Sequence, residues 1–249
     1  MGGHPSGWSL NYKKRIMAVS VDRVYQTVLA LANKEQRGYI TPQEFNLFAN
    51  HAQNEIFEQY FYDLNQSHRI PGNSTVSSDA RDIVEEKIGL FRVTGTLGSG
   101  GTLNSDVYRL EGIRYAQSSQ GPWYTAEEVT KKEFDRYTSS ALTMPPVSRP
   151  IFYRIENSVI RAPQGGYTNT RVDYIRRPIR PSWAYVVING EAVWNPSNTS
   201  GNQDFELHSS EEKNLVVKIL QLAGVAIKDF NISQLAGQKE VGYVQQEKA

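Results

Sequence analysis

The run Ala32-Asn33-Lys34-Glu35-Gln36-Arg37-Gly38-Tyr39-Ile40-Thr41-Pro42-Gln43-Glu44-Phe45 reads as the joint between two helices. Gly38 suits the left-handed residue that ends a first helix, and Thr41 offers its hydroxyl to the free amide three residues on. Pro42 then stands at the first helical position, where its missing N–H costs nothing. Glu44 completes a Thr-x-x-Glu capping box, and Ile40 with Phe45 makes the hydrophobic staple that sets the entry angle. The same letters, Gly-Tyr-Ile-Thr-x-x-Glu-Phe, copy the second half of a calcium-binding EF-hand loop. Counting Asn33 as the first loop position puts Arg37 at the fifth, a cation where the ion needs oxygen, and no second such loop occurs. The run is read as a helix joint, with no metal.

Upstream of it, Val21, Val24, Val28, Leu31 and Ala32 repeat at helical spacing. Downstream, Phe45, Phe48, Ala49, Ala52, Ile56, Phe57, Tyr60, Phe61 and Leu64 keep the same period in a longer helix. The aromatic stripe is wider than one short partner helix covers. Two readings stand: a domain core, or a subunit interface made by Phe45, Phe48, Phe57, Tyr60 and Phe61.

A third helix is expected from Ser78 to Lys87, stopping at Gly89, after which the period changes. Leu90 to Thr94 and Val107 to Leu110 read as strands flanking the glycine loop Gly95 to Thr102. Thr125-Ala126-Glu127-Glu128 reads as a second capping box, opening a helix with Val129, Phe134 and Tyr137 that Pro145-Pro146 closes. An antiparallel meander follows: Ile151 to Glu156, Val159 to Ala162, Thr170 to Arg176, Ala184 to Ile188 and Glu191 to Trp194. Asn189-Gly190 makes the two-residue turn between the last pair. Phe205 to Leu207 adds a short strand. Ser209-Ser210-Glu211-Glu212 caps a helix carrying Leu215, Val216, Ile219, Leu220 and Ala223, ended by Gly224.

The fold class expected is α+β, with an N-terminal helical hairpin, an antiparallel β meander in the middle and second half, and C-terminal helices. A flexible arm over 1–16, a helical region over 17–89, a mixed region over 90–208 and a C-terminal helix and tail over 209–249 are expected, forming one structural unit from 17 on.

The 249 residues carry 27 basic against 26 acidic side chains, a balance that argues against a protein devoted to coating nucleic acid. Cysteine is absent, which removes disulfides, thiol nucleophiles and cysteine zinc sites. No apolar run approaches the roughly 18 residues of a membrane helix, and no secretory signal opens the chain. Met1-Gly2-Gly3-His4-Pro5-Ser6 fits the N-myristoylation pattern, and Asn73, Asn198 and Asn231 head glycosylation triplets. Patterns this short recur by chance and carry no weight here.

The glycine loop has Gly95 and Gly100 at P-loop spacing, but Gly101 and Thr102 follow where Lys and Ser/Thr would grip phosphate. It is read as a flexible hairpin tip. The four histidines, His4, His51, His68 and His208, include no pair at metal-ligand spacing. No nucleophile elbow or zincin helix occurs, so a non-enzymatic protein without cofactor or metal is expected. A hydrolase that escapes motif inspection is the contrary reading.

One cluster mixes cations with aromatics: Arg171, Arg176, Arg177 and Arg180 near Tyr174 and Trp183. Such a set suits a phosphate backbone or single-stranded nucleic acid. Against this, strand alternation turns Arg171 and Arg177 away from Arg176, and carboxylates of a partner subunit would satisfy the arginines equally well.

Lys34 to Asn46, Tyr174-Ile175-Arg176-Arg177-Pro178, Phe205 to Glu212 and Leu222-Ala223-Gly224-Val225 together resemble a family of virion structural proteins of tailed bacteriophages, notably crAss-like and marine podovirus-like phages. The resemblance covers roughly 17–64 and 145–249. It implies a place at the portal or head–tail junction, as adaptor or ring, or elsewhere in the tail. It further implies partners that are copies of the chain in a ring, portal or other tail proteins, and packaged DNA in non-specific contact, with no membrane. The residues before Met17 depart from the family pattern. The matching positions are capping and packing residues, so the resemblance assigns no site residue. A phage nucleic-acid-binding module using the Arg171 to Trp183 cluster is the alternative.

Overall fold

The computed structural model describes residues 18–34, 40–69, 75–118, 121–198 and 200–226. The expected N-terminal arm, Gly38, Arg37, Asn73 and the C-terminal tail lie outside them. The protein is α+β. It divides into two compact units: residues up to Leu90 together with those from Pro178, and Phe91–Arg177. The expected boundaries at 89/90 and 208/209 are therefore replaced by Leu90/Phe91 and Arg177/Pro178, and the expected single unit by two.

The first unit holds helices α1 (Val21–Lys34), α2 (Pro42–Arg69) and α3 (Thr75–Gly89). The capping box at its centre is formed: Thr41 N–H donates to Glu44 Oε2 at 2.9 Å, and Glu44 N–H donates to Thr41 Oγ1 at 3.3 Å. Glu44 thus serves as a cap, and the bonds its carboxylate accepts from the Thr41 N–H and, at 2.7 Å, from the Thr41 hydroxyl hold its carboxyl below the usual range. Ile40 and Phe45, the staple pair, are both buried. The later part of the chain returns to these helices. The segment before a final helix carries Phe205 and Leu207 into the core, and that helix, α5 (Glu212–Ala226), packs on α1 and α2 through Leu215 and Ile219.

No strand forms at 205–207; Phe205 makes only a bridge with Val19. The α5 entrance differs in detail from expectation, because a 3-10 turn at Ser209–Glu211 comes first, capped by the His208 ring, which accepts from Ser210 N–H. Glu211 is turned into the core by that turn. It meets the Lys87 ammonium at 2.7 Å and accepts from Asn214 Nδ2 at 2.7 Å.

The second unit is a six-stranded sheet. Its strands are β1 (Arg92–Gly95), β2 (Val107–Ala116), β3 (Trp123–Glu128), β4 (Ile151–Ile155), β5 (Ser158–Ala162) and β6 (Asn169–Arg176), in the order β1-β6-β2-β3-β4-β5. This is not the expected meander: β6 inserts between β1 and β2, and β3 pairs with β4 in parallel. The parallel step is allowed because helix α4 (Lys131–Thr138) and the proline-rich stretch after it cross back between the two strands. Tyr108 and Glu111 are surplus residues opposite β6, bulges that keep Val107, Ile113 and Tyr115 facing the core despite the broken alternation.

The capping box expected at Thr125 is a strand instead. Ala126 pairs with Ile113 and is buried with it, so tertiary pairing overrides the local pattern. The box lies five residues later. Thr130 N–H donates to Glu133 Oε2 at 2.9 Å and Glu133 N–H to Thr130 Oγ1 at 3.3 Å, opening α4.

The last two expected strands exist, but as a separate two-stranded sheet in the first unit: β7 (Tyr185–Ile188) and β8 (Glu191–Trp194). Positive φ at Asn189 and Gly190, 53° and 86°, gives the primed turn that their residue types favour.

Candidate functional site

The aromatic stripe of α2 resolves to core. Phe45, Phe57, Tyr60 and Phe61 are buried, which withdraws these four as a free subunit interface, and Phe48 is partly buried. The cover that one short helix cannot supply comes from several elements. Phe45 meets Tyr25 of α1 at 4.7 Å between ring centroids, Lys87 of α3 lies over the Tyr60 ring, and α5 packs along α2.

Trp183 is core as well, 2% exposed. Its backbone N–H donates to Asn46 Oδ1 at 2.8 Å, its carbonyl accepts from Asn46 Nδ2 at 3.2 Å, and its indole N–H donates to Asp22 Oδ1 at 3.0 Å. Its ring faces Tyr25 at 4.2 Å. No base can stack on it or on Tyr174, which is buried too, so the expected basic and aromatic cluster loses both its aromatic members. The arginines are divided too: Arg171, Arg176 and Arg177 belong to the sheet unit, Arg180 to the helical one. Within β6, Arg171 and Arg176 sit five residues apart on a strand without its own bulge and so face opposite ways. Arg171 is exposed, with its guanidinium 4.2 Å from the Trp123 ring centroid, whereas Arg176 leans over Phe91 and donates to the Arg177 carbonyl. The ring beside Arg171 is Trp123, which lies outside the expected cluster.

The glycine loop is no hairpin tip, since the strands it joins, β1 and β2, are separated by β6. It folds onto β5 through a bridge from Thr102 to Ser158, and Gly101, at φ 81°, lies so close to the Val159 carbonyl that an added Cβ would stand 2.4 Å from its oxygen. Gly101 serves close packing, whereas Gly100 has open space around it.

A hollow of about 440 Å³ opens over β1, β2, β3 and β6. Gly112 leaves space at its floor, and its charges are mutually neutralised: Arg92 Nε to Glu111 Oε1 at 2.9 Å, and Arg114 Nη2 to Asp173 Oδ2 at 2.6 Å, with the Thr94 hydroxyl donating to the other Asp173 oxygen at 2.6 Å. Across the core, Arg161 spans the rings of Tyr115 and Tyr167 at 5.0 and 5.1 Å. Burial pushes the Tyr115 hydroxyl up to about 12, with the Arg161 charge pulling the other way, so it has no role as a base near neutrality. Among the described residues no group of three or more His, Asp or Glu side chains could hold a metal ion. No described helix is long and apolar enough to cross a membrane.

What sequence reading missed is the exposure of the β7–β8 hairpin. Val187 and Ile188 are 66% and 52% exposed, and Val186, Val193 and Trp194 are exposed too. It meets the helical unit at its base, where Gln43 Nε2 meets Tyr185 Oη at 3.4 Å, Tyr185 stacks on Trp183, and Trp194 Nε1 donates to Asn202 Oδ1 at 3.1 Å. The missed signal was composition: Tyr-Val-Val-Ile does not alternate, so neither face was polar enough for solvent.

Comparison with protein-family models and with curated proteins finds no match for this chain.

Proposed function

We propose that this protein is a non-enzymatic structural subunit of a tailed-phage virion, assembling with copies of itself into a ring at the portal, the head–tail junction or the tail. The observation that carries the assembly part of the reading is the β7–β8 hairpin, whose apolar side chains stand in solvent on both faces. An isolated two-stranded sheet is marginal in water, and apolar residues grouped this way mark a surface that another polypeptide covers. The virion context rests on the resemblance of Lys34 to Asn46 and the later strings. Head-to-tail contact around a ring buries a different patch on each side of each copy.

The test is sedimentation or native mass spectrometry of the purified chain, with a search for it in intact particles. A discrete oligomer that is also a particle component supports the reading. A monomer at all concentrations, absent from particles, overturns it.

The nucleic-acid alternative is not carried forward, because Trp183 is buried and the strand sets Arg171 against Arg176.

A further inference from the structure

We infer that copies of this chain join by strand pairing, the free edge of β7 in one copy taking the free edge of β8 in the next. The inference rests on the ring reading and specifies its contact.

The backbone groups available follow from the hairpin register. Tyr185 stands opposite Trp194, Val186 opposite Val193, Val187 opposite Ala192 and Ile188 opposite Glu191. Asn195 N–H donates to the Ala184 carbonyl at 3.0 Å, which fixes the phase of the ladder. Ala184, Val186 and Ile188 therefore point their N–H and C=O groups at β8, while Tyr185 and Val187 point theirs outward, as do Ala192 and Trp194 on the other edge. Among the described residues neither outer edge is paired with a strand. On the outer side of β7 the Asn46 amide occupies the next outward position, at Trp183, so the open edge is the three residues Tyr185 to Val187.

Charge selects the occupant. Exposed edges are ordinarily defended by charge, proline or a bulge. The edge strands of the six-stranded sheet each carry an arginine, Arg92 in β1 and Arg161 in β5. Strand β7 carries no charged residue, and β8 carries Glu191 alone, beside the turn. The uncharged β7 edge matches the uncharged length of β8. The two strands also show their fit directly, because within one chain they already set Val186 against Val193 and Tyr185 against Trp194. Repeating that register between copies gives antiparallel pairing through Tyr185 with Trp194 and Val187 with Ala192 of the next copy, using backbone groups the hairpin leaves outward. The apolar side chains of neighbouring hairpins then lie side by side on both faces.

The natural absence of cysteine gives a clean cross-linking test. Val187→Cys and Ala192→Cys are made in separate chains, coexpressed, and oxidised or treated with a short bis-maleimide. Cross-linked dimers from the mixture, with none from either variant alone, are expected. Val187→Lys, at a position exposed enough to leave the fold intact by circular dichroism, is expected to weaken association about tenfold or more. Dimers from Val187→Cys alone would mean that β7 pairs with itself about a two-fold axis and would overturn the inference. An oligomer with no cross-link and no response to Val187→Lys would overturn the edge contact while leaving the ring standing. A chain monomeric at all concentrations would remove both.

Discussion

Asn46 grips Trp183 by both of its backbone groups, accepting from the N–H at 2.8 Å and donating to the carbonyl at 3.2 Å, as a neighbouring strand would. The contact ties the first turns of α2 to a residue 137 positions later. Asn46→Ala leaves two backbone groups of a buried residue unpaired, at an expected cost of roughly 2–4 kcal/mol, each orphaned group accounting for about 1–3. Urea unfolding followed by tryptophan fluorescence measures it, and Asn46→Asp, which keeps the acceptor and loses the donor, should fall between.

Glu211 is 3% exposed and its carboxylate faces Lys87 at 2.7 Å. Removing Glu211 takes from the half-buried Lys87 ammonium its carboxylate at 2.7 Å and leaves it over the Tyr60 ring. Glu211→Ala is expected to destabilise by about 3–5 kcal/mol, and the double change Glu211→Leu with Lys87→Met by much less. Comparing the midpoints of denaturant unfolding in the single and double variants separates the pair's net contribution from the cost of breaking it.

Gly101 and Gly100 share positive φ, 81° and 74°, but only Gly101 has the Val159 carbonyl against it. Gly100→Ala meets open space and incurs backbone strain alone, roughly 1 kcal/mol. Gly101→Ala adds a clash with backbone that no rotamer relieves, and should lower the melting temperature clearly further than Gly100→Ala in a calorimetric scan.

The two capping boxes make a pH prediction. Bonds from Thr41 lower the Glu44 pKa from 4.5 in the folded chain, and bonds from Thr130 do the same for Glu133. A carboxyl whose folded pKa is depressed stabilises the fold above its unfolded value and loses that contribution as pH falls through the folded one. Stability should therefore decline as pH drops below about 4.5, and Thr41→Ala should flatten that decline while costing about 1 kcal/mol at neutral pH. Unfolding curves at pH 3, 4 and 7 check both.

What the sequence disclosed was what is local. Thr41, Pro42 and Glu44 announce a helix start, and Asn189-Gly190 a hairpin, because the interactions that decide them lie within three residues. What it hid was decided at a distance. Thr125 to Glu128 carries a sound cap pattern, yet the pairing of Ala126 with Ile113 makes it a strand. The aromatic stripe of α2 looked too wide to cover because α5, which closes it, arrives about 170 residues later in the chain. The candidate cluster at Arg171 to Trp183 failed for the same reason: nearness in sequence said nothing of Asp22 and Asn46, which draw Trp183 inward.

The helical unit is written in two instalments, and the intervening text is a sheet complete in itself. A ribosome releases Tyr25, Phe45 and Phe57 well before it makes Trp183, Phe205 and Leu215, which cover them. For the whole time that residues 91–177 are being made, the first helices lack the side chains that later bury them, while all six strands of the sheet are already present. The middle of the nascent chain thus has its pairing partners first, and the beginning is covered last, its aromatic face open to other contacts in that interval.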